Sequence, residues 1–290
     1  MNSLFKELIE NANLLGYELA DKDLKKLYKL QKTNQDKLIH ELALIMLKYD
    51  IKEEKLNLTD KEKLLLKEKL NKIVDEGIQL EFDLEKETTK QVLYQSADNS
   101  YKLRNYILSL GTIAKITALS EDELLKLINT VVDGKIWSDR LWTNKKQIEK
   151  ELKKMVHEFL NGRVSVNKIY KEINSKYSKN AYNTKRLVET EICRVQEKAN
   201  KEFNKKNGIE YVLYSATLDL KTSEICKERD GKVYRIDNAP TIPAHPNCRS
   251  CYIPLLNEDW RPKTRRDNTV IGKHIDYKDY KQWEKKTTKK

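Results

Sequence analysis

The sequence predicts an α+β protein: a predominantly helical N-terminal part, then a small mixed α/β C-terminal module with a Cys/His loop. Three observations support this. All five prolines fall between Pro240 and Pro262, so the first 239 residues lack the strongest helix breaker. Apolar residues recur at helical spacing as far as Gly208. Beyond Gly208 the chain turns β-branched and aromatic, as strands do.

The helices follow in order. Leu24, Leu27, Leu30, Leu38, Leu42 and Met46 lie on one helical stripe. Thr59 with Glu62, and Ser120 with Glu123, have the capping-box spacing that starts a helix. Glycines such as Gly77 and Gly134 are expected to end these helices. Trp137 and Trp142, five residues apart, are expected to pack together into a helix junction. A helix over about Asn144–Leu160 follows, then a short one started by Ser165. The segment "NTKRLVETEICRVQEKANKEFNKKNG" reads as a long helix stopped by Gly208. "IEYVLYSATLD" and "GKVYRI" read as strands. From Asn257 the chain is polar, basic and without periodicity, so it is expected to be a mobile tail.

Composition narrows the classes. The 290 residues are 39% hydrophobic and 35% charged, enough for a real core under a heavily charged surface. Net charge is +12, and eleven Lys/Arg against four Asp/Glu between Arg261 and Lys290 place +7 of it in the tail. A flexible basic tail suits a polyanion, and Lys263, Arg265, Arg266, Lys285, Lys286, Lys289 and Lys290 are its candidate nucleic-acid contacts. No apolar run approaches the ~20 residues of a membrane span. The N-terminus shows no secretory leader, so a reducing cytoplasm is the expected site of synthesis. Neither a G-x-x-x-x-G-K-[ST] phosphate loop nor a G-x-S-x-G nucleophile elbow is present.

The cysteines carry the most specific chemistry. Cys226 is followed after eighteen residues by His245, then by Cys248 and Cys251 as C-x-x-C. In a reducing compartment such a set points to metal rather than disulfides. Three thiolates and an imidazole would form a tetrahedral Cys3His zinc site. Pro243 and Pro246 would stiffen the loop presenting His245. Equally open is a set of small buried thiols around a proline turn, with His245 bonded to backbone. Ser223 stands where a second C-x-x-C could have been completed, and Cys193, inside a helix, reads as a core thiol. A third arrangement, Asp219, Asp230 and His245 around a metal with an open position, would suit phosphodiester hydrolysis.

Four segments in this order, "WSDRLWTN", "RLVETEICRVQEKA", "SATLDLKTSEICKERDGKVY" and "IPAHPNCRS", resemble the phage head morphogenesis family of Mu F-like minor head proteins. The matching positions include Trp137, Arg140, Trp142, Thr190, Glu191, Arg194, Asp219, Asp230, Gly231 and Arg249, together with Cys226, His245 and Cys248. The resemblance divides the chain into a helical region 1–136, a head-morphogenesis-like region 137–256 that matches best over 167–256, and a basic tail 257–290. Ser223 replaces the first cysteine of the family's usual pair. Ser250 stands where a final cysteine often falls, with Cys251 one place later, which implies a zinc-type site built from shifted ligands. Glu191 and Arg194, one turn apart, are expected to form a structural ion pair.

The resemblance implies a non-enzymatic minor capsid protein of a tailed phage, located in the virion at the head interior or portal vertex and in the host cytoplasm during assembly. Its implied partners are the portal protein, a scaffold or major capsid protein, and double-stranded DNA, with no membrane. Its implied role is head assembly, genome packaging or delivery. A metal-dependent nuclease and a free nucleic-acid-binding protein are the alternatives.

Overall fold

A computed structural model describes residues 3–110, 116–255, 260–270 and 273–287. The elements in chain order are α1 (Ser3–Lys48), β1 (Ile51–Lys52), β2 (Lys55–Leu56), α2 (Asp60–Ser109), α3 (Glu121–Ile128), α4 (Trp137–Leu160), α5 (Val166–Lys206), β3 (Tyr211–Ser215), α6 (Glu224–Arg229), β4 (Val233–Arg235), β5 (Cys251–Leu255), β6 (Thr264–Arg266), β7 (His274–Asp276) and α7 (Tyr280–Thr287). The fold is α+β, with long helices first and short strands last. It forms two compact units that interleave along the chain rather than follow the divisions at 136 and 256: Asp21–Thr89 with Val131–Leu187, and Met1–Ala20 with Lys90–Thr130 and Val188–Lys290. The reason is continuity, since α1, α2 and α5 each contribute to both.

The first unit is helical. Its core joins Leu38, Leu42 and Ile45 of α1 to Leu70, Val74 and Ile78 of α2, Leu152 and Phe159 of α4, and Ile169 and Ile173 of α5. The Thr59 capping box forms as expected: the Thr59 N–H donates to Glu62 at 2.8 Å, and the Glu62 N–H donates to the Thr59 hydroxyl at 3.4 Å. Gly77 does not end its helix. It lies inside α2, where an added Cβ would meet Asn34 at 3.3 Å, so its lack of a side chain admits the Asn34 amide, which donates to the Gly77 carbonyl at 3.0 Å.

A buried polar layer crosses the same unit. Lys145 is 1% exposed and lies 2.9 Å from Glu85 and 3.1 Å from Glu81. Asn34 and Asn180 donate to Glu81, and Thr184 donates to Glu85. Every charge therefore has several partners, which is what permits burial. Burial still raises the Glu85 carboxyl above its ordinary range, against the pull of Lys145.

The two tryptophans separate. Trp137 is buried, but Trp142 is 40% exposed. Five residues on a helix turn through about 140° beyond a full circle, so both rings cannot face one core. Trp142 stands edge-on to Phe82 with the Lys146 ammonium over its face.

The second unit is mixed. The Ser120 capping box starts α3: the Ser120 N–H donates to Glu123 at 2.8 Å and the Glu123 N–H donates to the Ser120 hydroxyl at 3.2 Å. Beyond Gly208, whose φ of +66° closes α5, three antiparallel strands form a sheet in the order β4-β3-β5. Side chains alternate between its two faces, as strand geometry requires. Val212, Tyr214 and Tyr252 lie on the face shared with Cys226 and Cys248, whereas Leu213, Ile253 and Leu255 lie on the other with Ile9 and Ile107.

The expected mobile tail is folded over much of its length. β6 and β7 pair as a hairpin, and α7 buries Tyr280 and Trp283 against Leu218. The Tyr280 hydroxyl donates to the Asp219 carbonyl at 2.7 Å, and Asn268 N–H donates to the Leu218 carbonyl. Large aromatics one turn apart supply the burial that the overall polarity of this segment conceals. Leu256, Asn257, Lys289 and Lys290 lie outside the described residues.

Candidate metal centre

The site is built where α6, the proline loop and the second half of α5 meet. Cys226 comes from α6, whose C-terminal cap is Asp230. His245 and Cys248 are the first and last residues of a four-residue turn closed by the Cys248 N–H on the His245 carbonyl at 3.2 Å. Pro246 and Asn247 occupy its centre, and Asn247 has the positive φ of 61° that asparagine tolerates best after glycine. The turn brings His245 and Cys248 to the same side.

Their ligating atoms, with that of Cys226, lie within 4.8 Å of one another. The Cys226 and Cys248 sulfurs are 3.8 Å apart. A tetrahedral zinc with bonds of about 2.3 Å sets its sulfurs about 3.8 Å apart, so the pair fits without rearrangement. His245 Nε2 is 3.2 Å from the Cys226 sulfur. Its Nδ1 lies 2.8 Å from the Pro246 carbonyl, which can only accept, so Nδ1 carries the proton and Nε2 turns its lone pair to the thiols. The hydrogen bond with Cys248, with burial adding to it, pushes the Cys226 thiol up to about 12. Without a cation these are neutral thiols.

Cys251, expected as the fourth ligand, is not in this group. It lies on β5, and its side chain packs with Leu213, Ile253 and Leu255 on the opposite face of the sheet from Cys248. One residue of shift along a strand reverses the side chain. Ser250, one place earlier, is the residue that faces the site, beside Cys226 together with Ser223. Burial pushes the Cys251 thiol up to about 12 in its apolar setting. Cys193, read from sequence as a core thiol, is one: it is buried in the hydrophobic cluster that also holds Cys226 and Cys248.

The remaining motif residues are each engaged within the fold, some of them at the loop. The Asn247 N–H donates to the Thr190 hydroxyl at 3.0 Å, tying the turn to α5. Glu191 is buried and paired with Arg194 one turn on. Asp219 pairs with Arg249 through one oxygen and accepts from the Lys221 N–H and the Thr222 hydroxyl through the other. Asp230 accepts the Ala216 N–H, the Tyr280 N–H and two nitrogens of Arg265, so both its oxygens are engaged within the fold. Gly231 has a φ of +76° that lets the chain turn from α6 into β4. Arg140 donates to the Val132 carbonyl at 2.6 Å and, like Trp137 and Trp142, belongs to the helical unit.

Among the tail residues expected to meet nucleic acid, Lys263, Lys285 and Lys286 are exposed, and Arg266 is half-buried, donating to Asn11 at 3.3 Å. Arg265 is a correction. It is 2% exposed and closed onto Asp230, so no phosphate can reach it. Sequence reasoning did not place Cys193 beside this cluster and gave no role to Tyr214. The one signal was spacing, since Thr190 and Cys193 are three apart and share a helix face.

Residues 143–253 match the family model described as Phage Mu protein F like protein. This region is therefore Mu F-like, of the phage head morphogenesis family, as the segment motifs imply. No curated protein and no solved structure matches the chain. Among the described residues no helix is long and apolar enough to cross a membrane.

Proposed function

We propose that this chain is a minor, portal-associated component of a tailed-phage head, acting in head assembly and in genome packaging or delivery without catalysis of its own. The observation that carries the reading is the Mu F-like match over 143–253, which contains Cys226, His245 and Cys248. Its partners are the portal protein, with scaffold or major capsid protein as further contacts, and it resides in the virion after assembly in the host cytoplasm. Exposed Lys263, Lys285 and Lys286, with Lys289 and Lys290 beyond them in sequence, would neutralise phosphates of packaged DNA.

Cys226, His245 and Cys248 would hold one zinc-type ion, whose role is to pin the proline loop to α6 as structural zinc does in small folds. The residues around it supply the preparation. The Pro246 carbonyl orients His245, and the Tyr214 hydroxyl sits 3.2 Å from the Cys226 sulfur as a donor to a thiolate.

The test is mass spectrometry of purified virions combined with crosslinking to the portal. A few copies per particle, crosslinked to portal subunits, are expected. Absence from the particle removes the reading.

A further inference from the structure

We propose that Cys193 is the fourth ligand of a closed, tetrahedral Cys3His centre, filling the place that Cys251 cannot reach. This rests on the metal reading above. Three ligands leave one tetrahedral position, and its occupant decides whether the ion is sealed or holds a water. The strand parity of β5 removes Cys251, and serines stand at positions 223 and 250. One more thiol lies on the correct side of the sheet.

Cys193 is on α5, one turn beyond Thr190, whose hydroxyl already anchors Asn247 of the His245–Cys248 turn. The same helix face that fixes the turn therefore presents this thiol to it. Cys193 is 4% exposed and packs in one cluster with Cys226, Cys248, Tyr214 and Ile242. Its sulfur lies 3.8 Å from the Ser250 carbonyl; it stands outside the 4.8 Å group formed by Cys226, His245 and Cys248 and would join it by a side-chain movement.

Charge balance agrees. Three thiolates and a neutral imidazole around a divalent cation carry one net negative charge, which burial would penalise unless donors face the sulfurs. One does: the Tyr214 hydroxyl lies 3.2 Å from the Cys226 sulfur. Such a site has no position for water. It joins α5 to α6 and the proline loop, and it replaces two serine-substituted positions with one helix thiol.

X-ray absorption on the full-length protein loaded with zinc under reducing conditions counts the ligands directly. Three sulfurs and one nitrogen are expected. Two sulfurs with nitrogen and oxygen would overturn Cys193 while leaving the metal reading intact, and no zinc bound to the parent protein would remove both. Cobalt in place of zinc assigns the third sulfur. Cys193→Ser should lower the sulfur-to-cobalt charge-transfer band by about one third while Cys251→Ser leaves it unchanged. The reverse pattern assigns the ligand to Cys251 and overturns the proposal. If Cys193→Ser does not fold, the sulfur count of the parent and of Cys251→Ser decides between the same outcomes.

Discussion

Arg265 closes on Asp230 with two nitrogens, at 2.7 and 3.2 Å, and the two side chains are 1% and 0% exposed. The carboxylate also accepts the backbone N–H groups of Ala216 and Tyr280, so a single acidic residue ties β3, β6 and α7 together. Truncating the arginine leaves a buried carboxylate with two neutral donors. Arg265→Ala should therefore destabilise the protein by roughly 3–5 kcal/mol, where an exposed lysine such as Lys263 changed to alanine should stay within about 0.5 kcal/mol. Arg265→Lys should not restore the loss, because an ammonium cannot span both oxygens. Urea midpoints of the three variants check this, and an Arg265→Ala protein as stable as the parent would show that the tail does not dock.

Zinc removal tests the Cys226, His245 and Cys248 cluster. About one zinc per chain is expected, and a strong chelator should lower the melting temperature by several degrees. Cys248→Ser should lose most of the metal. Because thiolates bind and thiols do not, uptake releases protons and affinity falls as pH falls. Calorimetry in buffers of different ionisation enthalpy measures that release. A metal-free protein indifferent to chelation counts against the site.

Glu197 predicts a pH effect. Burial pushes its carboxyl up to about 7, although Arg104 and the Tyr252 backbone pull the other way. A carboxyl whose folded value is raised favours the folded state while protonated. Its contribution is complete below the unfolded value of about 4.5 and is lost as pH rises through about 7. Other acids here, such as Glu151 at about 2, work in the opposite direction, so the comparison must be with a variant. Glu197→Gln should gain stability relative to the parent between pH 5 and 8. Parallel curves for the two proteins would place the titration elsewhere.

The legible parts of this molecule were those decided by local spacing. The Thr59 and Ser120 boxes, the strand after Gly208 and the closeness of His245 to Cys248 all follow from residues a few places apart. What was hidden depends on faces and distant partners. Cys251 and Cys248 look equivalent in C-x-x-C, yet β5 begins at Cys251 and the strand directs that thiol to the other face. Cys193 was legible as a core thiol, but not its neighbours Cys226 and Cys248, which lie more than thirty residues away in sequence. Lys145 carries no sign of burial until Glu81, Glu85 and Asn180 surround it. The tail misled for a related reason: Tyr280 and Trp283 form too short a pattern to register against so many lysines.

The docked tail also changes what DNA binding should look like. Arg265 is closed to phosphate, and Arg266 donates to Asn11, which leaves the exposed Lys263, Lys285 and Lys286 as the candidate contacts among the described residues. Each phosphate contact adds about 0.9 to the slope of log affinity against log salt on duplex DNA. Reversing Lys285 and Lys286 to glutamate should therefore flatten that slope by roughly 2 and weaken binding to unrelated sequences alike. α7 should survive the change, because its buried contacts come from Tyr280 and Trp283 rather than from these lysines. Fluorescence anisotropy with a labelled duplex over a salt series, alongside circular dichroism, separates charge from folding. An unchanged slope in a folded variant would move the DNA contact to another surface.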